Sequence, residues 1–259
     1  MKIVSLHRGT APLLVSLPHD GTALPPGLAE RMTETARRVP DTDWFVSRLY
    51  DFARHLGASI LVPAYSRYVV DLNRPPDDLS LYPGQNTTGL CPIVQFTGEP
   101  IYLPDQQPTD DEILHRVETY WRPYHDALAA ELARLHEAHG RVLLWEGHSI
   151  LSHVPYLFEG RLPDINLGTA NGASCNPLTQ QRLERALRAQ TKYSWVCNGR
   201  FKGGYITRNY GRPANGIEAI QLELAQCNYM DEQAARYDAE KAQHVQALFE
   251  SLLRTALAA

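Results

Sequence analysis

The chain has 259 residues, with 25 Lys and Arg against 29 Asp and Glu, a formal net charge of −4. With no long basic run, that balance argues against nucleic acid or an anionic membrane as partner and favours a small molecule. Hydrophobic residues at 44% and charged residues at 21% exclude a disordered or fibrous chain, and the length suits one α/β domain over residues 1–259.

Residues 12–19 hold a short apolar run, Leu13, Leu14, Val15 and Leu17, that predicts a buried strand ending at a Pro-His-Asp-Gly turn with His19 at the strand end. From Asp43 the apolar positions Trp44, Leu49, Phe52, Ala53 and Leu56 recur at helical spacing, and Gly57 is the expected stop. Residues 59–64 and 68–72 read as strands, the second closing on Asn73-Arg74-Pro75-Pro76. Residues 75–109, rich in Pro, Gly and Thr, show no clean period and read as a long ordered loop, a candidate active-site wall.

The span 110–139 is helical by pattern, with a kink or restart at Pro123 and Gly140 as stop. Residues 141–146 then form an apolar strand that delivers Gly147-His148-Ser149 to its C-terminal end. Asn176-Pro177 opens a helix to about residue 190; residues 217–224 alternate as a strand, and 231–257 read as a long amphipathic helix. Buried strands alternating with helices predict a single α/β/α sandwich with a mixed sheet. Ligands in such sheets bind beyond the carboxyl ends of the strands, where His19, Asn73, Arg74 and His148 fall.

The run at 12–17 is too short for a signal peptide, and no stretch approaches the length that spans a bilayer. Cys91, Cys175, Cys197 and Cys227 form no CxxC pair and read as reduced thiols of a cytoplasmic protein.

Two imidazoles and one carboxylate, His19, His148 and Asp43, with a water would make an open catalytic zinc site. On base rates a histidine at a strand end is more often a hydrogen-bonded turn residue, and Asp43 alone reads as a helix cap. Glu223 projects from the polar face of an apolar strand; it is either a general base toward metal-activated water or half of a structural ion pair. Arg74 offers a fork suited to a carboxylate, and Arg208 lies in a Gly-containing segment, 203–208, read as mobile and able to close on a second one; Arg67 and Arg212 stand in reserve.

Three near-motifs fail. His136-Glu137-Ala138-His139 is one residue short of the zinc helix, Ser149 lacks the second glycine of a nucleophile elbow, and 199–204 lacks the spacing of a phosphate loop.

In order along the chain, the stretches 16–21 (Ser-Leu-Pro-His-Asp-Gly), 41–44, 66–74, 81–84 (Leu-Tyr-Pro-Gly), 121–125, 147–150, 203–208 and 219–224 resemble the N-formylglutamate amidohydrolase family over nearly the whole length. The resemblance implies a fold similar to the zinc carboxypeptidases, with one zinc or similar divalent ion held by His19, a carboxylate of the Asp41-Thr42-Asp43 segment, and His148. Asp43 is preferred because it directly precedes the helical period. It further implies that Asn73 and Arg74 meet a substrate carboxylate, that Glu223 is the general base, and that N-formyl-L-glutamate is hydrolysed to glutamate and formate at the end of histidine degradation. Where the family often has Asp two residues before the second metal histidine, this chain has Glu146. The alternatives are a related zinc amidohydrolase with another N-acyl amino acid as substrate, or a binder of acidic amino-acid derivatives without turnover.

Overall fold

Apolar runs too short for helices supply the sheet: β1 Val4–His7, β2 Leu13–Ser16, β3 Ser59–Pro63, β4 Val142–Ile150, β5 Ile165–Gly168, β6 Trp195–Cys197 and β7 Ile217–Ala225. In the computed structural model, which describes residues 2–80 and 87–258, they join in the order β1-β3-β2-β4-β7-β5-β6. The sheet is mixed. Strands β3, β2, β4 and β7 run parallel, while β1 is antiparallel to β3 and β5 to β7.

Parallel strands need covering on both faces, and strand parity decides which residue meets which cover. Leu13, Val15, Trp145, Ile220 and Leu222 point to one face, against Leu183 and Leu187 of α4 (Pro177–Ala189) and Phe249 and Leu252 of α6 (Ala239–Leu257). Leu14, Leu61, Leu144 and Ala219 point to the other, against Tyr124, Leu128 and Leu132 of α3 (Arg122–His139) and Ile206 of α5 (Tyr205–Tyr210). This is the α/β/α arrangement expected from the alternation of elements. Along this second face Glu146 and His148 continue the parity of Leu144, and Gln221 and Glu223 continue that of Ala219, so the polar residues gather at one end of two adjacent strands.

Several elements depart from the sequence reading. Residues 68–72 form turns, not a strand. The peptide groups there close locally, Val69 N–H donating to Ser66 O at 2.9 Å and Asn73 N–H to the Asp71 carboxylate at 2.9 Å, which competes with a ladder. The helix after Asp43 is one turn, α1 Val46–Leu49, followed by 3-10 turns over Asp51–Leu56, and Gly57 ends it at φ 74° as expected. The span 110–139 divides into α2 Asp110–Arg116, a π turn Val117–Trp121 and α3, with Pro123 in the first turn of α3, where its missing N–H costs least. The last helix begins only at Ala239, capped by Asp238; Asp231 instead enters a hairpin, β8 Met230–Asp231 with β9 Arg236–Tyr237. Its carboxylate accepts the N–H groups of Gln233 and Ala234, the chemistry of a turn.

The described part of 75–109 is irregular, tied by the isolated bridges Met32 to Tyr102 and Val94 to Pro100. The 81–84 motif lies outside the described residues. Among those residues no helix is long and apolar enough to cross a membrane.

Candidate active site

The turn after β2 and the C-terminal end of β4 bring His19 and His148 together, with ring centres 4.8 Å apart. His148 is not beyond its strand but within it, because β4 runs on to Ile150. Asp43 reaches them from the segment before α1, where its N–H donates to the His19 carbonyl at 3.1 Å. Asp43 Oδ2 lies 3.0 Å from His148 Nδ1 and 3.7 Å from His19 Nδ1, and one ligand atom from each of the three residues falls within 4.8 Å of the others. All three are buried.

Each imidazole uses its far nitrogen on a carboxylate. His19 Nε2 donates to Asp71 Oδ1 at 2.7 Å, and His148 Nε2 donates to Glu146 Oε1 at 2.7 Å. An imidazole anchored in this way has its tautomer fixed with Nδ1 as the donor toward a metal, so two nitrogens and one carboxylate oxygen converge as a set that fits a divalent cation of the zinc class. Glu146 therefore reaches its histidine despite the longer side chain. Its second oxygen accepts from the Thr207 N–H at 3.0 Å and from the Thr207 hydroxyl, fastening α5 to β4. Gly147 between them is required by packing: a Cβ there would meet the Leu17 and Tyr50 side chains at 2.7 Å.

The electrostatics follow from burial set against charge. Burial alone would lower the His148 pKa, but hydrogen bonds to Asp43 and Glu146 outweigh it and hold the ring well above the usual histidine range. His19 goes the other way, lowered by burial and by the charge of Arg67. Asp71, although buried, is held well below the carboxylate range by Arg67 and His19. Glu223, beside His148 in the β4–β7 register, is pushed up to about 8 by burial, with His148 and Arg67 opposing and Asp43 and Glu146 reinforcing.

Of the residues named from sequence, His19, Asp43, Asn73, Arg74, His148 and Glu223 all line one cleft. Asn73 also serves the scaffold, its Oδ1 accepting the Ile206 N–H at 2.9 Å. Asp41 faces away, accepting from the Tyr68 hydroxyl at 2.6 Å and the Phe96 N–H at 2.8 Å. Arg208 is not among the lining residues. Its segment is the ordered helix α5, and its Nε donates to the Gly203 carbonyl at 2.8 Å. Sequence reasoning missed Asp71, Phe96 and Arg200 as lining residues and held Arg67 only in reserve. The signal for Asp71 was present: a carboxylate inside an apolar run needs a partner.

The model of the N-formylglutamate amidohydrolase family matches residues 11–230. The chain belongs to this family. An N-formylglutamate deformylase of Pseudomonas putida is 51% identical over 258 residues, spanning 99% of this chain and 96% of its own length. One from Pseudomonas aeruginosa is 53% identical, over 99% and 97%. A crystal structure of N-formylglutamate amidohydrolase from Ralstonia eutropha JMP134 superposes with a TM-score of 0.84 at 26% identity, covering 99% of this chain and 97% of that one. An Agrobacterium tumefaciens gene product shares the fold, with a TM-score of 0.68 at 19% identity over 98% and 96%. In this member of the amidohydrolase family, two histidines, an aspartate and a buried glutamate line one cleft.

Proposed function

We propose that this chain hydrolyses N-formyl-L-glutamate to L-glutamate and formate as one cytoplasmic catalytic domain that uses a single divalent ion, zinc by preference, held by His19, Asp43 and His148. The observation that carries the reading is the meeting, in one cleft, of that donor set, a buried glutamate and three arginines, Arg67, Arg74 and Arg200. The relatives' names supply the substrate. A non-catalytic binder would need no carboxylate base beside the donor set.

When bound, the ion supplies Lewis-acid polarisation and makes water a nucleophile near neutral pH. Glu223 takes a proton from the attacking water and returns it to the departing nitrogen as the C–N bond breaks, so no covalent enzyme intermediate is needed. Glu223, pushed up to about 8 by burial, acts in its carboxylate form, which an ion held by His19, Asp43 and His148 would favour. Arg67 meets the oxygen on which negative charge develops. Its Nη2 donates to Asp71 at 2.6 Å, which fixes the guanidinium in the wall of the cleft. Arg74 receives the α-carboxylate, with Asn73 beside it holding α5 in place.

The test is formate, acetate and succinate release from the corresponding N-acyl-L-glutamates. The formyl compound is expected to be the preferred substrate by kcat/KM. Preference for a longer acyl group would instead favour a related amidohydrolase with a different substrate.

A further inference from the structure

We infer that Arg200 grips the distal carboxylate of the substrate and so selects N-formylglutamate over analogues uncharged at that end. The inference rests on the function proposed above. A substrate with carboxylates at both ends of a short methylene chain needs two separate cations, and among the described residues three guanidiniums line the cleft. Arg67 is committed: it is bound to Asp71 at 2.6 Å, stands 3.8 Å from Asp43, and packs over the Phe96 ring at 4.8 Å. Arg74 comes from the turn that follows Asp71, with its backbone carbonyl pinned by Trp121 Nε1 at 3.0 Å. Arg200 enters from a different segment, the loop after β6, so the two cations reach the cleft by independent routes.

The surroundings of Arg200 suit this task. Its Nε donates to the Leu157 carbonyl at 3.0 Å, and its guanidinium carbon lies 5.5 Å from the centre of the Phe201 ring, so a neutral acceptor and an aromatic face orient the fork. Leu157, Phe201 and Ile150 line the same cleft and give the methylenes between the two carboxylates an apolar wall. The acids of the cleft, Asp43, Asp71 and Glu223, are buried, and two of them already have cationic or imidazole partners: Asp71 is bound to Arg67 and His19, and Asp43 to His148.

The test compares kcat/KM for N-formyl-L-glutamate and N-formyl-L-glutamine, which differ only in the distal charge. In Arg200→Gln the preference for the glutamate derivative is expected to fall by roughly 10- to 100-fold, chiefly through KM, the loss typical of a charge-assisted pair. Arg200→Lys is expected to recover part of that preference, which a purely structural role would not restore. Arg74→Gln is expected to weaken both substrates together, since both carry the α-carboxylate, and to leave their ratio unchanged. A glutamate-to-glutamine ratio in Arg200→Gln equal to that of the wild type would overturn the assignment. Wild-type protein that releases no formate from N-formylglutamate would overturn the underlying function instead.

Discussion

Glu223 and His148 are cross-strand partners in a parallel register, so their side chains emerge on the same face one strand spacing apart. A carboxylate there can take a proton from attacking water, whereas the isosteric amide cannot. Glu223→Gln is therefore expected to lower kcat by about 10²–10⁴-fold while leaving metal content and melting temperature close to wild type. Near-normal turnover with metal bound would remove Glu223 as the base, and loss of metal would make it a ligand. At this scale the gathering of His19, Asp43, His148 and Glu223 in one cleft was legible, because the hydrophobic pattern locates the strands that end near His19, His148 and Glu223 and the helical period that Asp43 precedes. Which arginines line the cleft was not: Arg200 does and Arg208 does not, because the reach of an arginine depends on the path of its backbone through space. That path has no periodic signature in sequence.

Elements far from the chemistry hold it in register. Trp121 in the π turn donates to the Arg74 carbonyl at 3.0 Å, and His125 on α3 donates through Nε2 to the Leu72 carbonyl at 2.9 Å, so one helix clamps both ends of the segment that carries Asn73 and Arg74. This gives the 121–125 stretch a physical role: it is a brace. On the opposite face, β4 lies against Leu17 and Tyr50 only because residue 147 has no side chain. Gly147→Ala is expected to cost about 1–3 kcal/mol through overpacking, a fall in melting temperature of roughly 2–10 °C. It is also expected to lower turnover, because it shifts the strand that carries both Glu146 and His148. An unchanged melting temperature would show that this wall yields. Strands β2, β3 and β4 were readable from apolar runs, β7 from its alternation, and helix α4 from a cap-then-proline signal. The turns at 68–72 and the hairpin at 230–237 were not, since there aspartate side chains capture backbone N–H groups that the apolar pattern assigned to a strand or a helix.

In the whole molecule, burial of polar groups sets acid stability. His125 lies between α3 and α5, its Nδ1 accepting from the Tyr210 hydroxyl at 2.9 Å, and burial pushes its pKa down to about 4. The unfolded chain, with an ordinary histidine pKa of ~6.5, binds a proton first as the pH falls. The contribution is therefore fully present above pH ~6.5 and is lost as the pH drops toward 4, amounting to about 3 kcal/mol in all. His125→Gln is expected to be less stable at pH 7 but to lose less of its melting temperature between pH 7 and pH 5 than the wild type does. Equal losses would show that other groups govern the acid limb. The buried donor set has a more direct consequence at this scale, since the proposed function depends on an ion held by His19, Asp43 and His148. The deciding measurement is metal content and formate release from N-formyl-L-glutamate, taken on the same sample before chelation, after chelation and after adding zinc. Formate release is expected to vanish with the metal and to return as about one divalent ion per chain is restored; full activity in a sample shown to be metal-free would rule out the metal-dependent reaction.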